Sequence, residues 1–262
     1  MSARPKLSAC IIAMNEADRI EDCLTSLDFC DEIVVVDSHS SDATREIAAS
    51  LGAEVIERDW PGHVAQKEFA IRAARHDWVL CVDADERISP ELRQQILSLR
   101  DAGFESAAGW RMPRLSSYFG RYMRRGGWYP DLQLRLFDRR RGRWAGYDPH
   151  DRVELEGDIA VLRGDLLHHP YRCLSDHLAT IDRYTTTMAQ GMFDRGLRAR
   201  PFDLWLHPAV RFFRFYFLKL GLLAGWRGFL QASLAAHYVR LKYAKLLELQ
   251  GVDGVDQSST RS

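Results

Sequence analysis

The sequence predicts an α/β fold, a mostly parallel sheet flanked by helices, followed by a helical, amphipathic C-terminal extension. Three observations predict it. From residue 7 to residue 100, apolar runs of strand length alternate with stretches of helical spacing, the pattern of right-handed crossovers and a parallel sheet. Those runs are almost continuous in apolar residues, as strands buried on both faces require. Beyond residue 168 the spacing becomes helical throughout, with aromatic residues interleaved with Arg and Lys.

The elements follow in order. Residues 7–14, "LSACIIAM", read as the first buried strand, and Ile20, Leu24 and Leu27 mark a helix face. "EIVVVD" (32–37) is the second strand. Ser41 or Asp42 can then cap a helix that stops at Gly52, because serine and aspartate side chains satisfy the first amides and glycine tolerates the closing turn. "AEVIER" (53–58) is the third strand, "HVAQKEFAIRAAR" (63–75) a helix and "DWVLCVD" (77–83) the fourth strand. Ser89 followed by Pro90 opens the next helix as N-cap and first helical residue. From 109 to 166 the chain is rich in Arg, Gly and aromatics, with short strand-like pieces, and reads as an irregular extension of the sheet. The division expected is 1–108, an α/β subdomain; 109–167, a loop-rich subdomain; 168–250, a helical extension; and 251–262, a polar tail.

Of the 262 residues, 46% are hydrophobic and 27% charged, enough to build a core. The formal net charge of +0 gives no bulk attraction for nucleic acid, and none is expected as a partner. Residues 200–250 nevertheless hold eight Lys/Arg against two acids, which suits an anionic partner. Five scattered cysteines without a CxxC pair read as reduced thiols. No apolar stretch near the first residue is long enough for a signal peptide, so the chain is expected to stay where it is made.

In sheets of this kind ligands bind beyond the carboxyl ends of the strands. Asn15-Glu16, Asp37-Ser38 and Asp83-Ala84-Asp85 follow the first, second and fourth strands and should converge on one edge. An acid after the second strand of a Rossmann-like sheet suits a nucleoside. The first turn, "AMNEADR", has no glycine, so a helix-based phosphate cradle is absent. Asp83 and Asp85, read as alternate residues of an extended segment, would face one ligand, and Mg²⁺ or Mn²⁺ would relieve their repulsion while bridging to a diphosphate.

The stretches "CIIAMNEADRIEDCLTSL", "DEIVVVDSHSSDATREIAASLGAEV", "QKEFAIRAA" and "DWVLCVDADERIS" together resemble the nucleotide-sugar domain of family 2 inverting glycosyltransferases, which have the GT-A fold. "GWYPDLQLRLF", "DPHDRVEL" and "GWRGFLQASLAAHYVRLKYAKLLE" resemble the narrower group of lipopolysaccharide core β-1,4-glucosyltransferases. The resemblance implies a UDP-sugar donor bound by Ala13, Asn15, Glu16, Asp37, Lys67, Asp83 and Ala84, and a divalent metal on Asp85. It implies a carboxylate base in the segment after Asp85. Asp151 is the choice, with Asp148 as competitor and His150 beside them. Trp128, Tyr129, Asp131 and Arg135 are candidates to stack on sugar or to order a loop that closes over donor and acceptor. Glu86-Arg87 are expected only to lead into the next helix.

The resemblance also implies a lipopolysaccharide core or other lipid-linked saccharide as acceptor, reached from the cytoplasmic face of the inner membrane. The longest uncharged stretch of the tail, 228–239, is too short to span a bilayer, so the basic, aromatic helices are expected to lie at its surface or to pair two copies as a homodimer. Two other readings remain open at this point, a sugar nucleotidyltransferase and a non-catalytic, membrane-associated sugar-nucleotide-binding scaffold.

Overall fold

A computed structural model of the chain describes residues 4–147 and 150–259. It contains two compact units. The first comprises residues 1–116 and 130–169, the second residues 117–129 and 170–262.

The first unit opens with β1 (Leu7–Ala13), α1 (Ile20–Thr25), β2 (Glu32–Asp37), α2 (Thr44–Ser50), β3 (Glu54–Glu57), α3 (His63–Ala73) and β4 (Trp78–Asp83). These four strands are parallel, in the order β3-β2-β1-β4. β5 (Glu86–Ile88) and α4 (Pro90–Asp101) follow. Ser89 caps α4 by accepting the Leu92 amide at 3.2 Å, as expected from the Ser-Pro pair. The core explains the unbroken apolar runs. Leu7, Ala9 and Ile11 of β1 pack on one face of the sheet with α1 and α4, whereas Cys10 packs on the other face with Val34, Val36 and α3. Both faces are covered, so successive residues are apolar apart from Ser8, whose buried hydroxyl donates to Glu32.

The Arg-rich stretch extends this sheet. β6 (Gly109–Tyr118) runs through both units, and β7 (Arg121–Tyr122) pairs with its last residues. β8 (Asp131–Asp138) lies between β4 and β6, antiparallel to both. β9 (Gly142–Tyr147) and β10 (His150–Leu155) form a separate antiparallel pair. β11 (Ile159–Val161) and β12 (Leu166–His168) run parallel to β6, and β12 pairs antiparallel with β5 at the far edge. The ten residues of β6 were not legible as a strand because Arg111, Pro113 and Arg114 interrupt its apolar pattern.

The second unit is helical beyond β7: α5 (Leu174–Asp194), α6 (Asp203–Phe213), a π-helical turn Arg214–Leu218, a 3-10 turn Gly221–Ala224 and α7 (Trp226–Ser259). α7 can start so close to the 3-10 turn only because residue 228 is glycine. A β-carbon there would collide with the Gly221 carbonyl oxygen. Among the described residues, no helix is long and apolar enough to cross a membrane.

Candidate functional site

The carboxyl ends of β1, β2 and β4 lie side by side. Ala13 is paired with Asp37 and Ile12 with Asp83, so the acids at 37 and 83 flank β1 on one sheet edge, as expected from their places at the strand ends. The loops that follow are tied together. Asn15 adopts a left-handed backbone (φ 57°) that turns the chain away from β1. Its amide donates to Ser40 Oγ at 2.8 Å and its side-chain carbonyl accepts the Ser41 amide at 2.8 Å. The Glu16 amide donates to Thr44 Oγ1 at 2.8 Å. Asp37 is fully buried and accepts the Ser40 amide at 2.7 Å. Its carboxylate thus fixes the loop that forms the rim.

Beside it runs a line of alternating charges. Lys67, from α3, places its ammonium 2.9 Å from Asp151 Oδ2 of β10 and 3.0 Å from Asp83 Oδ1. The other Asp83 oxygen accepts from Arg135 Nη2 at 2.6 Å, and the same nitrogen donates to Glu86 Oε1 at 2.8 Å. Arg114 lies 3.4 Å from Glu86 and 2.6 Å from Asp131. The sequence of charges is therefore Asp151, Lys67, Asp83, Arg135, Glu86, Arg114, Asp131. Burial opposes the charge on Asp83, but Arg135 and Lys67 outweigh it and hold its carboxyl well below the usual value. Burial likewise opposes the Lys67 ammonium, and Asp83 and Asp151 still raise it above its ordinary value. Lys67 also sits 4.7 Å from the Trp144 ring centroid. Isolated ions could not be buried here; paired and hydrogen-bonded ones can.

Asp85 takes different partners. Its Oδ2 lies 3.3 Å from His168 Nε2 of β12 and 3.8 Å from Arg19 Nη1. His168 Nδ1 is 2.9 Å from Ser116 Oγ of β6, which orients the ring. Burial raises the Asp85 carboxyl, but the His168 hydrogen bond and charge outweigh it and leave the group below its ordinary value. Asp83-Ala84-Asp85 is thus not an extended segment presenting two acids to one ligand. Residues 84 and 85 form a turn between β4 and β5, with Ala84 buried beneath it.

Residues 8–154 match the family model described as glycosyl transferase family 2, more than half of the chain. The chain belongs to glycosyl transferase family 2. The match includes Asp37, Lys67, Asp83, Asp85 and Asp151, and this glycosyltransferase carries the alternating charge line within it. A lipopolysaccharide core biosynthesis glycosyltransferase of Rhizobium meliloti is 32% identical over 258 residues, covering 92% of each chain. An uncharacterized glycosyltransferase of Rickettsia bellii is 30% identical, covering 93% of this chain and 87% of its own. Among solved structures, a mannosyltransferase from Pyrobaculum calidifontis in complex with GDP-Man and Mn²⁺ superposes with a TM-score of 0.53 at 16% identity. It covers 94% of this chain and 88% of its own, and it shows the shared GT-A fold.

Other expected residues of the transferase fall elsewhere. Arg135 is not on a mobile loop: it lies in β8, 2% exposed, because its guanidinium is the only cation joining Asp83 to Glu86 among the described residues. Glu86 does more than lead into a helix. It is fully buried, accepts the Asp83 amide at 3.0 Å and anchors two arginines, while Arg87 pairs with Asp22. Asp131 belongs to the first unit through Arg114, whereas Trp128 and Tyr129 belong to the second. There Tyr129 lies under the Arg124 guanidinium at 5.0 Å and Trp128 packs edge-on against Tyr118. His150 contributes its backbone to β10 opposite Tyr147; its side chain, like Asp148, lies outside the described residues. Glu86, Arg114 and His168 were missed. One of two adjacent histidines in "LLHH" and an acid next to a DxD carry no signal until β5, β6 and β12 are placed together.

Among the described residues, no three His, Cys, Asp or Glu side chains converge on one point. A hard divalent cation that keeps waters and takes phosphate oxygens needs only one or two protein ligands. Asp85 and His168 supply one carboxylate and one imidazole at suitable separation, so the donor set fits such a cation arriving with a diphosphate.

Proposed function

We propose that this glycosyltransferase is inverting and moves a hexose, glucose in the leading reading, from a UDP-sugar to a membrane-borne saccharide such as the lipopolysaccharide inner core. The observation that carries the proposal is the joining of Asp151 to Asp83 through Lys67. It sets a carboxylate able to take the acceptor hydroxyl proton next to the acid that ends β4, where a donor nucleotide binds in a sheet of this order. Asp37, Asn15 and Glu16 form the nucleoside side of this edge. Asp85 and His168 hold the divalent ion, which when bound neutralises charge growing on the diphosphate. Lys67 orients the base and Arg135 anchors Asp83. The Rhizobium relative, by its name, acts in lipopolysaccharide core biosynthesis, which supports the choice of acceptor.

The second unit supports delivery at a membrane surface. Trp205, Phe213, Leu218, Trp226 and Phe229 are more than half exposed, and Arg211, Arg214, Lys219 and Arg227 lie among them in sequence. Aromatic and aliphatic side chains interleaved with cations suit the interface of an anionic bilayer. The protein would work there from the cytoplasmic face of the inner membrane.

The test is UDP release from UDP-glucose, with GDP-mannose as comparison, using extracted core oligosaccharide as acceptor and Mn²⁺ or Mg²⁺. Transfer from UDP-glucose with inversion supports the reading; release only from the guanosine donor, or none with any saccharide, refutes it. Asp151→Asn should lower kcat with UDP binding retained, and an unchanged kcat would remove Asp151 from the role of base.

A further inference from the structure

Phe119 and Leu220 of the second unit have left-handed backbones, with φ of 48° and 56°. Glycine takes that conformation freely, whereas it costs any residue with a β-carbon. Phe119 and Gly120 are the two loop residues between β6 and β7, and both have positive φ. A hairpin turn of that kind favours Asn-Gly rather than Phe-Gly. Leu220 joins the π-helical turn to the 3-10 turn. Phe104 shares the conformation but is 2% exposed, and core packing accounts for its side chain. Phe119 is 40% and Leu220 46% exposed, so packing inside the chain accounts for far less of theirs. An apolar group kept on a strained turn and left facing solvent points to a contact outside the chain.

The surroundings say what that contact is. The Phe119 ring lies 5.5 Å from the Trp226 ring, so the hairpin tip adjoins the start of α7. Eleven of the 23 exposed large apolar residues among the described ones fall between residues 205 and 229. Phe217, Leu218, Lys219 and Leu220 are exposed in succession, and Leu222 and Leu223 follow. Their backbone is braced. The Gly126 amide donates to the Lys219 carbonyl at 2.8 Å, and the Leu223 amide to the Leu220 carbonyl at 3.1 Å. Charge is one-sided: residues 205–229 contain Arg211, Arg214, Lys219 and Arg227 and no Asp or Glu. Arg227 donates to the Phe119 carbonyl at 3.1 Å, and its guanidinium rests on the Trp226 ring at 4.7 Å. Leucines, aromatic rings and unopposed cations together match a bilayer surface. There the leucines enter the acyl boundary, the rings lie among headgroups and the cations meet lipid phosphate.

We propose that the Phe119 hairpin tip and the turn at 217–223 insert into the headgroup and acyl boundary of an anionic bilayer and anchor the second unit there. This deepens the reading of a membrane-borne acceptor by naming what enters the lipid, and its grounds lie entirely in the second unit.

Co-sedimentation of the full chain with phosphatidylcholine vesicles, with and without phosphatidylglycerol, tests it without donor or acceptor. The chain should bind the vesicles containing phosphatidylglycerol at least tenfold more tightly than the neutral ones. Leu220→Gly and Phe119→Asn relieve the left-handed backbone, so each should hold or raise the urea midpoint while weakening vesicle binding at least threefold. Together they should weaken it at least tenfold and leave UDP affinity unchanged. Arg214→Gln with Lys219→Gln should reduce the preference for the anionic vesicle. The proposal is overturned if the chain binds no vesicle, if it binds both kinds equally, or if the Leu220→Gly, Phe119→Asn chain binds as tightly as the parent. That double variant turning a dimer into a monomer in light scattering, with vesicle binding unchanged, would make the face a contact between copies instead. Vesicle binding by a chain that does not turn over UDP-glucose would sink the transferase reading and leave the anchor standing; turnover by a chain that ignores vesicles would do the reverse.

Discussion

At the sheet edge of the first unit, Lys67, Asp83, Glu86 and Arg135 all have counter-charges; in the second, Arg211 has no ion-pair partner and the Gln231 amide no hydrogen-bond partner among the described residues. In the first arrangement each charge meets an opposite one within the protein, although Arg135 Nε has no hydrogen-bond partner among the described residues. Burial alone therefore says little about whether a polar group is paired; the count of its satisfied bonds does. The same contrast separates Asp83 from Asp85. Asp83 is saturated by two cations, whereas Asp85 shares its oxygen with a histidine that can also ligate a metal.

The strongest test of this contrast is to open the closed network. Arg135→Met leaves Asp83 with Lys67 alone and the buried Glu86 with Arg114 alone, and should destabilise the protein by about 3 kcal/mol in urea melts. Adding Glu86→Gln should recover part of the loss. A change below about 1 kcal/mol would show that the charges are not mutually supporting. Next, Asp85→Ala should reduce transfer on the order of 10²–10³-fold, as loss of one electrostatic stabiliser commonly does. Its melting midpoint should move little, and EDTA should no longer matter. A sharp loss of stability would instead make Asp85 a structural partner of Arg19 and His168.

Smaller effects probe the second unit. Gly228→Ala drives a β-carbon into the Gly221 carbonyl and should cost about 1–3 kcal/mol. Acid should weaken both units in hydrogen exchange, because burial also pushes the His169 imidazole of the first unit down to about 4. Burial pushes the His177 imidazole down to about 4, so the unfolded chain binds more protons between pH 6.5 and about 4. The second unit's protection should fall as pH drops through that window. The carboxyls of Asp83 and Asp85 are held below their ordinary value, so their contribution should persist there and fade only at lower pH. Replacing His177 should remove the loss in the second unit alone, and an unchanged loss there would argue against His177 as its cause.

Much of the first unit could be read in advance because its signals are local. Strands covered on both faces need unbroken apolar runs, Ser89-Pro90 announces a helix start, and Asp37 and Asp83 close their strands. The relation of Asp83 to Asp85 could not be read, because alternation holds only while the backbone stays extended, and the turn at residues 84 and 85 breaks it.

By itself, then, the sequence determined the α/β class, the parallel order of crossovers and the acids at the strand ends, since each follows from spacing within one segment. The tertiary structure alone decided that Lys67, Arg135 and Arg114 alternate with Asp151, Asp83, Glu86 and Asp131, that His168 faces Asp85, and that Gln231 is buried without a partner among the described residues. Each depends on strands or helices distant in sequence meeting at one point. The physical reason is that local periodicity reports which face a residue takes, whereas a charge or an amide is satisfied only by whatever the fold brings opposite it.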